Sequence, residues 1–118
     1  MKHSITAFFF LLTGLIFSSC SKDKNGTPTF TVDCSTVTNK AFAANVSPLI
    51  QSRCAIAGCH ATGSGNGPGA LTTHAQISAA SSRIRTAVAN GSMPQGSSLT
   101  TAEKNSIVCW IDSGSPNN

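Results

Sequence analysis

The chain is poor in aromatic and charged residues. Of its 118 residues, 6% are aromatic, none is Tyr, and 10% are charged. Four of the six Phe residues (Phe8, Phe9, Phe10 and Phe17) lie near the start, so few large side chains remain for a core. Ordering about 80 residues costs on the order of 100 kcal/mol of conformational entropy, which small side chains offset poorly. The short length of the chain and its small number of large side chains exclude a multidomain enzyme, a large parallel sheet and a polytopic membrane protein. They predict one small domain that a cofactor, a metal or disulfides help to hold together.

Acidic residues are scarcer than basic ones, and neither kind forms a run. Beyond Lys2, seven Lys and Arg residues stand against four Asp and Glu residues. Without a basic run or interleaved aromatic residues, the sequence predicts no nucleic-acid partner. Only Glu103 and Asp112 supply carboxylates to the region expected to fold, and no Ser/His/Asp set for nucleophilic catalysis is evident. We therefore expect no enzyme of that class and no small-molecule substrate.

Residues 1–19 have the pattern of an export signal. A basic start precedes an apolar run over 5–17, which has the length of a signal-peptide core and is too short to span a bilayer. The run ends in Phe17-Ser18-Ser19-Cys20, which resembles the lipobox of bacterial lipoproteins, with Phe17 in place of the usual Leu. The resemblance implies that residues 1–19 are removed and that Cys20 is lipidated.

Residues 20–33 are polar and follow that leader. The stretch SKDKNGTPTFTV, from Ser21 to Val32, shows neither helical nor strand periodicity. We expect a flexible tether that holds a domain at 34–118 off a membrane, to which acyl chains on Cys20 anchor it. This predicts an exported, membrane-anchored lipoprotein that faces the periplasm or the cell surface, in a compartment where disulfides persist.

Signals for helix starts and stops punctuate the region 34–118, which has no strand-like alternation. Ser47-Pro48 predicts an N-cap followed by Pro at the first helical position, and this helix is expected to end at Cys54. Asn90-Gly91 and Gly114 are typical stops. Two capping boxes predict further helix starts, at Thr73 with Gln76 and at Thr100 with Glu103. The expected fold is all-α, with three or four short helices joined by Gly-rich loops.

The segment from Cys54 to His60, CAIAGCH, carries the chemistry. Two Cys residues followed directly by His are the arrangement by which c-type cytochromes hold haem: the thiols add to two vinyl groups and the imidazole reaches the iron. Four residues separate Cys54 from Cys59, where the common form has two. The extra residues would bulge outward, and Gly58 can adopt a positive φ there. From the spacing alone, a Cys54–Cys59 disulfide is the alternative.

Met93, the only Met beyond the leader, precedes Pro94 and lies 33 residues after His60. The order of features over 41–114 resembles that of the single-haem class I cytochrome c domain. A first helix is followed by Cys-Cys-His, a Gly-rich loop, further helices, a Met-Pro loop and a final helix with Trp110. The ending, MPQGSSLT and then WIDSGSPNN, is similar to that of cytochrome c-like domains in bacterial surface lipoproteins. The resemblance implies electron transfer with a redox protein partner, and places Trp110 where the last helix packs across the first. It implies one covalent haem c on Cys54 and Cys59, with His60 and Met93 as axial ligands of the iron.

With those residues assigned, the resemblance leaves Cys34 and Cys109 to form a disulfide. It would close a loop of about 75 residues and stabilise the fold by about 4 kcal/mol in the chain-entropy treatment. Without haem, four Cys residues allow three pairings, of which Cys54–Cys59 together with Cys34–Cys109 is favoured. The protein would then be a disulfide-stapled interaction module of a cell-surface assembly.

Other ligand arrangements stay open from the sequence. His74 could replace Met93 as the distal ligand, although a His at a helix start more often lies on the surface. A zinc site of Cys54, Cys59, His60 and His74 would need two adjacent residues on one tetrahedron. A sensory or catalytic haem protein would need Met93 to dissociate. Three arginines could reach haem propionates, although solvated helix faces are the more common position: Arg53, Arg83 and Arg85.

Overall fold

Residues 30–118, the part of the chain that this computed structural model describes, contain four short α-helices and a π-helical turn. The π-helical turn Phe42–Val46 leads directly into α1 (Ser47–Arg53), and α2 (His74–Ala79), α3 (Ser81–Ala89) and α4 (Thr101–Asp112) follow. Residues 30–118 contain no strand, so the all-α prediction is confirmed. No helix in this part is long and apolar enough to cross a bilayer. The predicted export signal, the predicted lipidation site at Cys20 and most of the predicted tether lie outside the described residues.

Both predicted capping boxes form at the starts of their helices. Thr73 Oγ1 accepts a hydrogen bond from Gln76 N–H at 3.3 Å, and Gln76 Oε1 accepts one from Thr73 N–H at 3.1 Å. Thr100 and Glu103 form the same pair of bonds at 3.2 and 2.8 Å. Each box satisfies backbone donors that the first turn of a helix leaves without a partner, which is why α2 and α4 begin where the sequence predicts.

The two predicted glycine stops also lie just beyond helix ends. Gly91 follows α3 with φ 75°, and Gly114 follows α4 with φ 93°. After α4, Ser115 N–H donates to Trp110 O at 3.1 Å, and Gly114 N–H donates to Ile111 O at 2.9 Å. These two bonds form a Schellman motif, in which glycine accepts the left-handed backbone that other residues adopt with strain.

The first helix begins differently from the prediction. Ser47 has helical backbone angles, φ −59° and ψ −51°, because helical structure already begins at Phe42. The start is held by Asn118, whose Oδ1 accepts from Phe42 N–H at 2.9 Å and whose carbonyl oxygen accepts from Ala43 N–H at 2.7 Å. The predicted N-cap at Ser47 is therefore wrong, because the capping group comes from a residue 76 positions away. The end of α1 agrees with the prediction, with Cys54 as its C-cap.

Trp110 forms the centre of the core. It is fully buried, its ring lies 5.3 Å from that of Phe42 between centroids, and its Nε1 donates to Pro116 O at 2.8 Å. The last helix thus packs on the first helical segment through Trp110, as the resemblance implies. The rest of the core is aliphatic and comes from every helix: Val46, Ile50, Leu71, Ile77, Ala80, Ile84, Val88, Leu99, Ile107 and Val108.

The segment before the first helix is fastened to α4. A disulfide joins Cys34 to Cys109, which confirms the pairing that the resemblance implies. Ser106 Oγ also donates to the carbonyl oxygen of Asn39. Phe30 and Val32, which the sequence assigns to the tether, pack against the core, so the folded part begins before Cys34.

Candidate functional site

A cavity of about 480 Å³ opens between the end of α1, the loop that follows it, α3 and the loop after α3, within the range of about 300–1,000 Å³ typical of cofactor sites. Its walls include all four residues of the predicted haem site: Cys54, Cys59, His60 and Met93. The tertiary structure therefore brings Met93 to the same cavity as the Cys-Cys-His segment, although 33 residues separate it from His60.

Apolar side chains form most of the remaining wall. The apolar lining residues are Ile50, Pro68, Leu71, Ile84, Ala87, Val88 and Pro94. Several of these belong to the buried core, so the cavity reaches the core rather than a polar surface. A flat apolar macrocycle in this position would cover apolar surface that otherwise faces water. The size and the wall therefore fit a porphyrin.

The Cys-Cys-His segment forms a compact turn directly after α1. His60 N–H donates to Cys54 O at 3.0 Å, which brings the two ends of the motif together, and Cys59 N–H donates to Ile56 O at 3.0 Å. Ile56, in the middle of the spacer, is 45% exposed, and Gly58 has φ 80° and also lines the cavity. The positive φ expected at Gly58 is confirmed, and the outward bulge around a haem stays a prediction.

Both thiols of this turn are free and half-buried. The Cys54–Cys59 disulfide that the spacing left open is therefore not formed in this structure. Burial, and to a smaller extent the neighbouring Cys59 thiol, raises the pKa of Cys54 above its ordinary value.

His60 is held through both its backbone and its ring. The residue is buried, with 6% of its surface exposed, and its carbonyl oxygen accepts from Leu71 N–H at 2.9 Å. Its Nδ1 lies 2.9 Å from the carbonyl oxygen of Gly69. A carbonyl only accepts, so Nδ1 carries the proton in the neutral imidazole, and the lone pair of that tautomer is on Nε2. Such a bond on the far nitrogen is the common way in which proteins orient a metal-binding imidazole.

Met93 lies in a loop that is anchored to the end of α3. Its N–H donates to Ala87 O at 3.2 Å, and the preceding Ser92 N–H donates to Asn90 Oδ1 at 2.9 Å. The side chain is half-buried on the cavity wall. The Asn90-Gly91 stop thus positions the loop that carries the thioether.

His74 lies away from this cavity. Its Nε2 bonds the carbonyl oxygen of Ser115 at 3.0 Å, and its ring packs edge-on against Phe42 with centroids 4.7 Å apart. It is therefore not placed to replace Met93 or to complete a zinc site with the Cys-Cys-His segment. Within residues 30–118, no group of three or more His, Cys, Asp or Glu side chains could hold a metal ion together.

Two of the three candidate arginines line the cavity. Arg53 does so while bonding Glu103 at 3.1 Å, and Arg83 lines the wall formed by α3. Arg85 is not part of the wall, because its guanidinium bonds both carboxylate oxygens of Asp112, at 2.6 and 3.0 Å. Arg85 is therefore not placed at the cavity. It lies on a solvated helix face, which was the other position expected for it. None of the described lining residues is acidic, so the charge at the cavity favours an anionic group.

Two polar residues of the Gly-rich loop were missed by the sequence prediction. Asn66 Nδ2 donates to the carbonyl oxygens of Gly58 at 3.0 Å and of Cys59 at 3.1 Å, and Ser64 Oγ donates to the Cys59 carbonyl as well. Ser64 and Asn66 are the only polar side chains between the glycines of 63–69. This isolation is the feature of the sequence that could have indicated a role for them. Spacing alone does not show which carbonyls they reach.

Comparison with known proteins assigns no family to the chain. No family model matches it, and no match is found among curated proteins or solved structures. The chemistry of the cavity is therefore the basis on which a function can be assigned.

Proposed function

We propose that the protein is a c-type cytochrome, a membrane-anchored lipoprotein domain that passes single electrons to and from a redox protein partner through one covalently bound haem c. One observation carries the proposal. Two thiols, an imidazole and a thioether from segments far apart in the sequence line one apolar cavity: Cys54, Cys59, His60 and Met93. When bound, the haem supplies the one-electron exchange between ferric and ferrous iron.

The two cysteines and His60 provide the attachment. Both thiols are free, as addition to vinyl groups requires, and the bond from His60 N–H to the Cys54 carbonyl keeps them in one turn with the imidazole. The Gly69 carbonyl holds the proton of His60 on Nδ1, which leaves Nε2 as the iron ligand. Each group therefore has the chemical form that its role needs.

Met93 provides the sixth ligand on this proposal. A thioether is neutral and polarisable, so it favours the ferrous state and raises the reduction potential. Its loop is anchored to α3 through Ala87 O. A thioether on an anchored loop would suit electron transfer better than the binding of an exogenous ligand.

The cavity wall supports the proposal through burial and charge. Ile50, Ile84 and Val88 belong both to the wall and to the core, so a haem seated there completes a core that has few large side chains of its own. Arg53 and Arg83 on the wall offer partners for the propionates. Exclusion of water by the apolar wall also raises the reduction potential, because the ferric site carries the larger charge.

The location and the partner that we propose for the domain follow from the predicted leader and from the net positive charge. An export signal and a lipidated Cys20 would place it at a membrane in the periplasm or on the cell surface. The small excess of basic residues suits an acidic redox partner, although it steers association weakly at physiological salt.

A pyridine haemochrome spectrum of the full-length protein, produced in a host that matures c-type cytochromes, tests the proposal. We expect a covalent c-type spectrum and an intact mass that includes one haem. Replacing both Cys54 and Cys59 with Ala should abolish covalent haem, whereas replacing Cys34 and Cys109 should not. A folded, colourless wild-type protein with a Cys54–Cys59 disulfide would show the interaction module instead and overturn the proposal.

A further inference from the structure

One side chain of the Gly-rich loop holds the turn that carries the second thiol. The Nδ2 group of Asn66 donates to the carbonyl oxygens of Gly58 and Cys59, at 3.0 and 3.1 Å. These carbonyls belong to the peptide groups on either side of the Cys59 Cα. The amide therefore fixes the backbone from which the Cys59 thiol projects.

The backbone of the same residue is connected to the imidazole. Gly69 N–H donates to Asn66 O, and the Gly69 carbonyl oxygen lies 2.9 Å from His60 Nδ1. Asn66 thus links Cys59 through its side chain and His60 through its carbonyl. It also lines the cavity itself.

The length of the spacer explains why such a link is needed. Four residues between the thiols, one of them Gly58 at φ 80°, have more backbone freedom than two. The turn's own hydrogen bond from Cys59 N–H to Ile56 O does not restrain the Cys59 carbonyl. That carbonyl is held from outside the turn, by Asn66 and Ser64.

We propose that Asn66 is a positioning residue for haem attachment: its carboxamide orients Cys59 relative to His60, so that both thiols bond to one haem across the longer spacing. This inference rests on the proposed function. In each attachment the Cys S–H adds across a vinyl C=C, the sulfur bonding one carbon and the hydrogen the other. No oxidant or reductant is consumed.

The variant Asn66→Asp tests the role, because a carboxylate of nearly the same shape cannot donate to the two carbonyls. Asn45→Asp is the matched control. It has the same charge change, Asn45 does not line the cavity, and its Oδ1 only accepts, from Ala41 N–H, so a carboxylate keeps that bond. Both full-length variants would be produced with haem maturation and compared with the wild type.

The measurement is the number of thioether bonds per haem. Chains are unfolded, free thiols are labelled with a maleimide, and the labelled Cys is located by peptide mass. In Asn66→Asp we expect a severalfold rise in haem-bearing chains with a free Cys59. Their haemochrome absorption should shift to longer wavelength, because one vinyl group stays conjugated with the ring. Asn45→Asp should match the wild type. Two thioethers in Asn66→Asp at the wild-type yield would overturn the inference.

Two further measurements keep the result decisive. If Asn66→Asp does not fold, Ser64→Ala removes one bond to the Cys59 carbonyl and should give a smaller share of the same single-thioether product; its absence counts against the inference. If the wild type carries no haem, the proposed function fails. Maleimide labelling of the native chain then still tests whether the Asn66 carboxamide orients Cys59. A selective change in the Cys59 rate in Asn66→Asp supports it, and equal changes at Cys54 and Cys59 overturn it.

Discussion

His60 Nδ1 lies 2.9 Å from the carbonyl oxygen of Gly69. Because the carbonyl can only accept, this contact selects the tautomer of the neutral imidazole in which Nε2 has the lone pair. The Gly-rich loop therefore does more than connect two helices, since one of its carbonyls prepares the histidine that the proposed function makes the proximal ligand.

If the proposed function is right, replacing Met93 with Ala should open one coordination position of the haem iron. We expect the reduced variant to bind carbon monoxide, with a clear change in its absorption spectrum, and the wild type hardly to respond. The reduction potential should fall, because the thioether that favours the ferrous state is lost. In the control Met93→His, a nitrogen ligand should restore resistance to carbon monoxide but not the potential. A wild type that binds carbon monoxide readily would favour the sensory or catalytic alternative.

Replacing His74 with Phe should affect stability and leave the haem unchanged. The ring keeps its packing against Phe42, but the bond from Nε2 to Ser115 O is lost. We expect the free energy of unfolding to fall by about 0.5–1.5 kcal/mol, as for one hydrogen bond, measured by urea denaturation. The absorption spectrum should match that of the wild type. A change in the axial-ligand spectrum would mean that His74, and not Met93, reaches the iron.

Replacing both Cys34 and Cys109 with Ala should lower stability by about 2–5 kcal/mol, because the unfolded chain regains the freedom of a long loop. The two residues are 75 positions apart, and Cys109 is fully buried, so Ala avoids burying a hydroxyl group. Thermal unfolding with and without dithiothreitol measures the effect. The reductant should lower the midpoint of the wild type and leave that of the double variant unchanged. Equal sensitivity of both proteins would contradict the role of this disulfide.

Acid should weaken the fold partly through Asp112. Its hydrogen bond with Arg85 lowers the pKa of Asp112 below its ordinary value. The stabilisation is therefore present at pH values above the unfolded pKa and is lost as the pH falls through the folded one. Since both side chains are partly exposed to solvent, we expect only about 0.2–1 kcal/mol.

The variant Asp112→Asn measures this contribution. Urea denaturation at pH 7 and at pH 2.5 should show a smaller loss of stability on acidification in the variant than in the wild type. High salt should reduce the difference between the two proteins at pH 7. An identical acid dependence in both would show that the pair contributes nothing to the fold.

Local interactions account for the parts of the fold that could be predicted. The capping boxes at Thr73 and Thr100 and the stops at Gly91 and Gly114 involve residues within one or two turns of each other, so their spacing in the sequence determines their geometry. The helix from Phe42 departs from its prediction for the opposite reason. Its cap comes from Asn118, and no local pattern predicts a bond between residues 76 positions apart.

In the candidate site, too, only the features that depend on neighbouring residues could be predicted from the sequence. Two thiols and a His within seven residues are visible in the sequence, as is the need for an outward bulge at Gly58. That Met93 and not His74 lines the cavity depends on how α2 and α3 pack. The role of Asn66 likewise depends on where the Gly-rich loop crosses the turn.

The sequence by itself therefore determined the helical class, most helix boundaries and the kind of chemistry that the Cys-Cys-His segment can perform, because each depends on residue types at short range. Only the tertiary structure decided that Cys54, Cys59, His60 and Met93 line one apolar cavity. It also decided that Arg85 pairs with Asp112 and that Asn66 bonds the Cys59 carbonyl. Those relationships arise from the packing of segments that are distant in the chain, and side-chain identity alone does not specify which of several possible partners is brought within bonding distance.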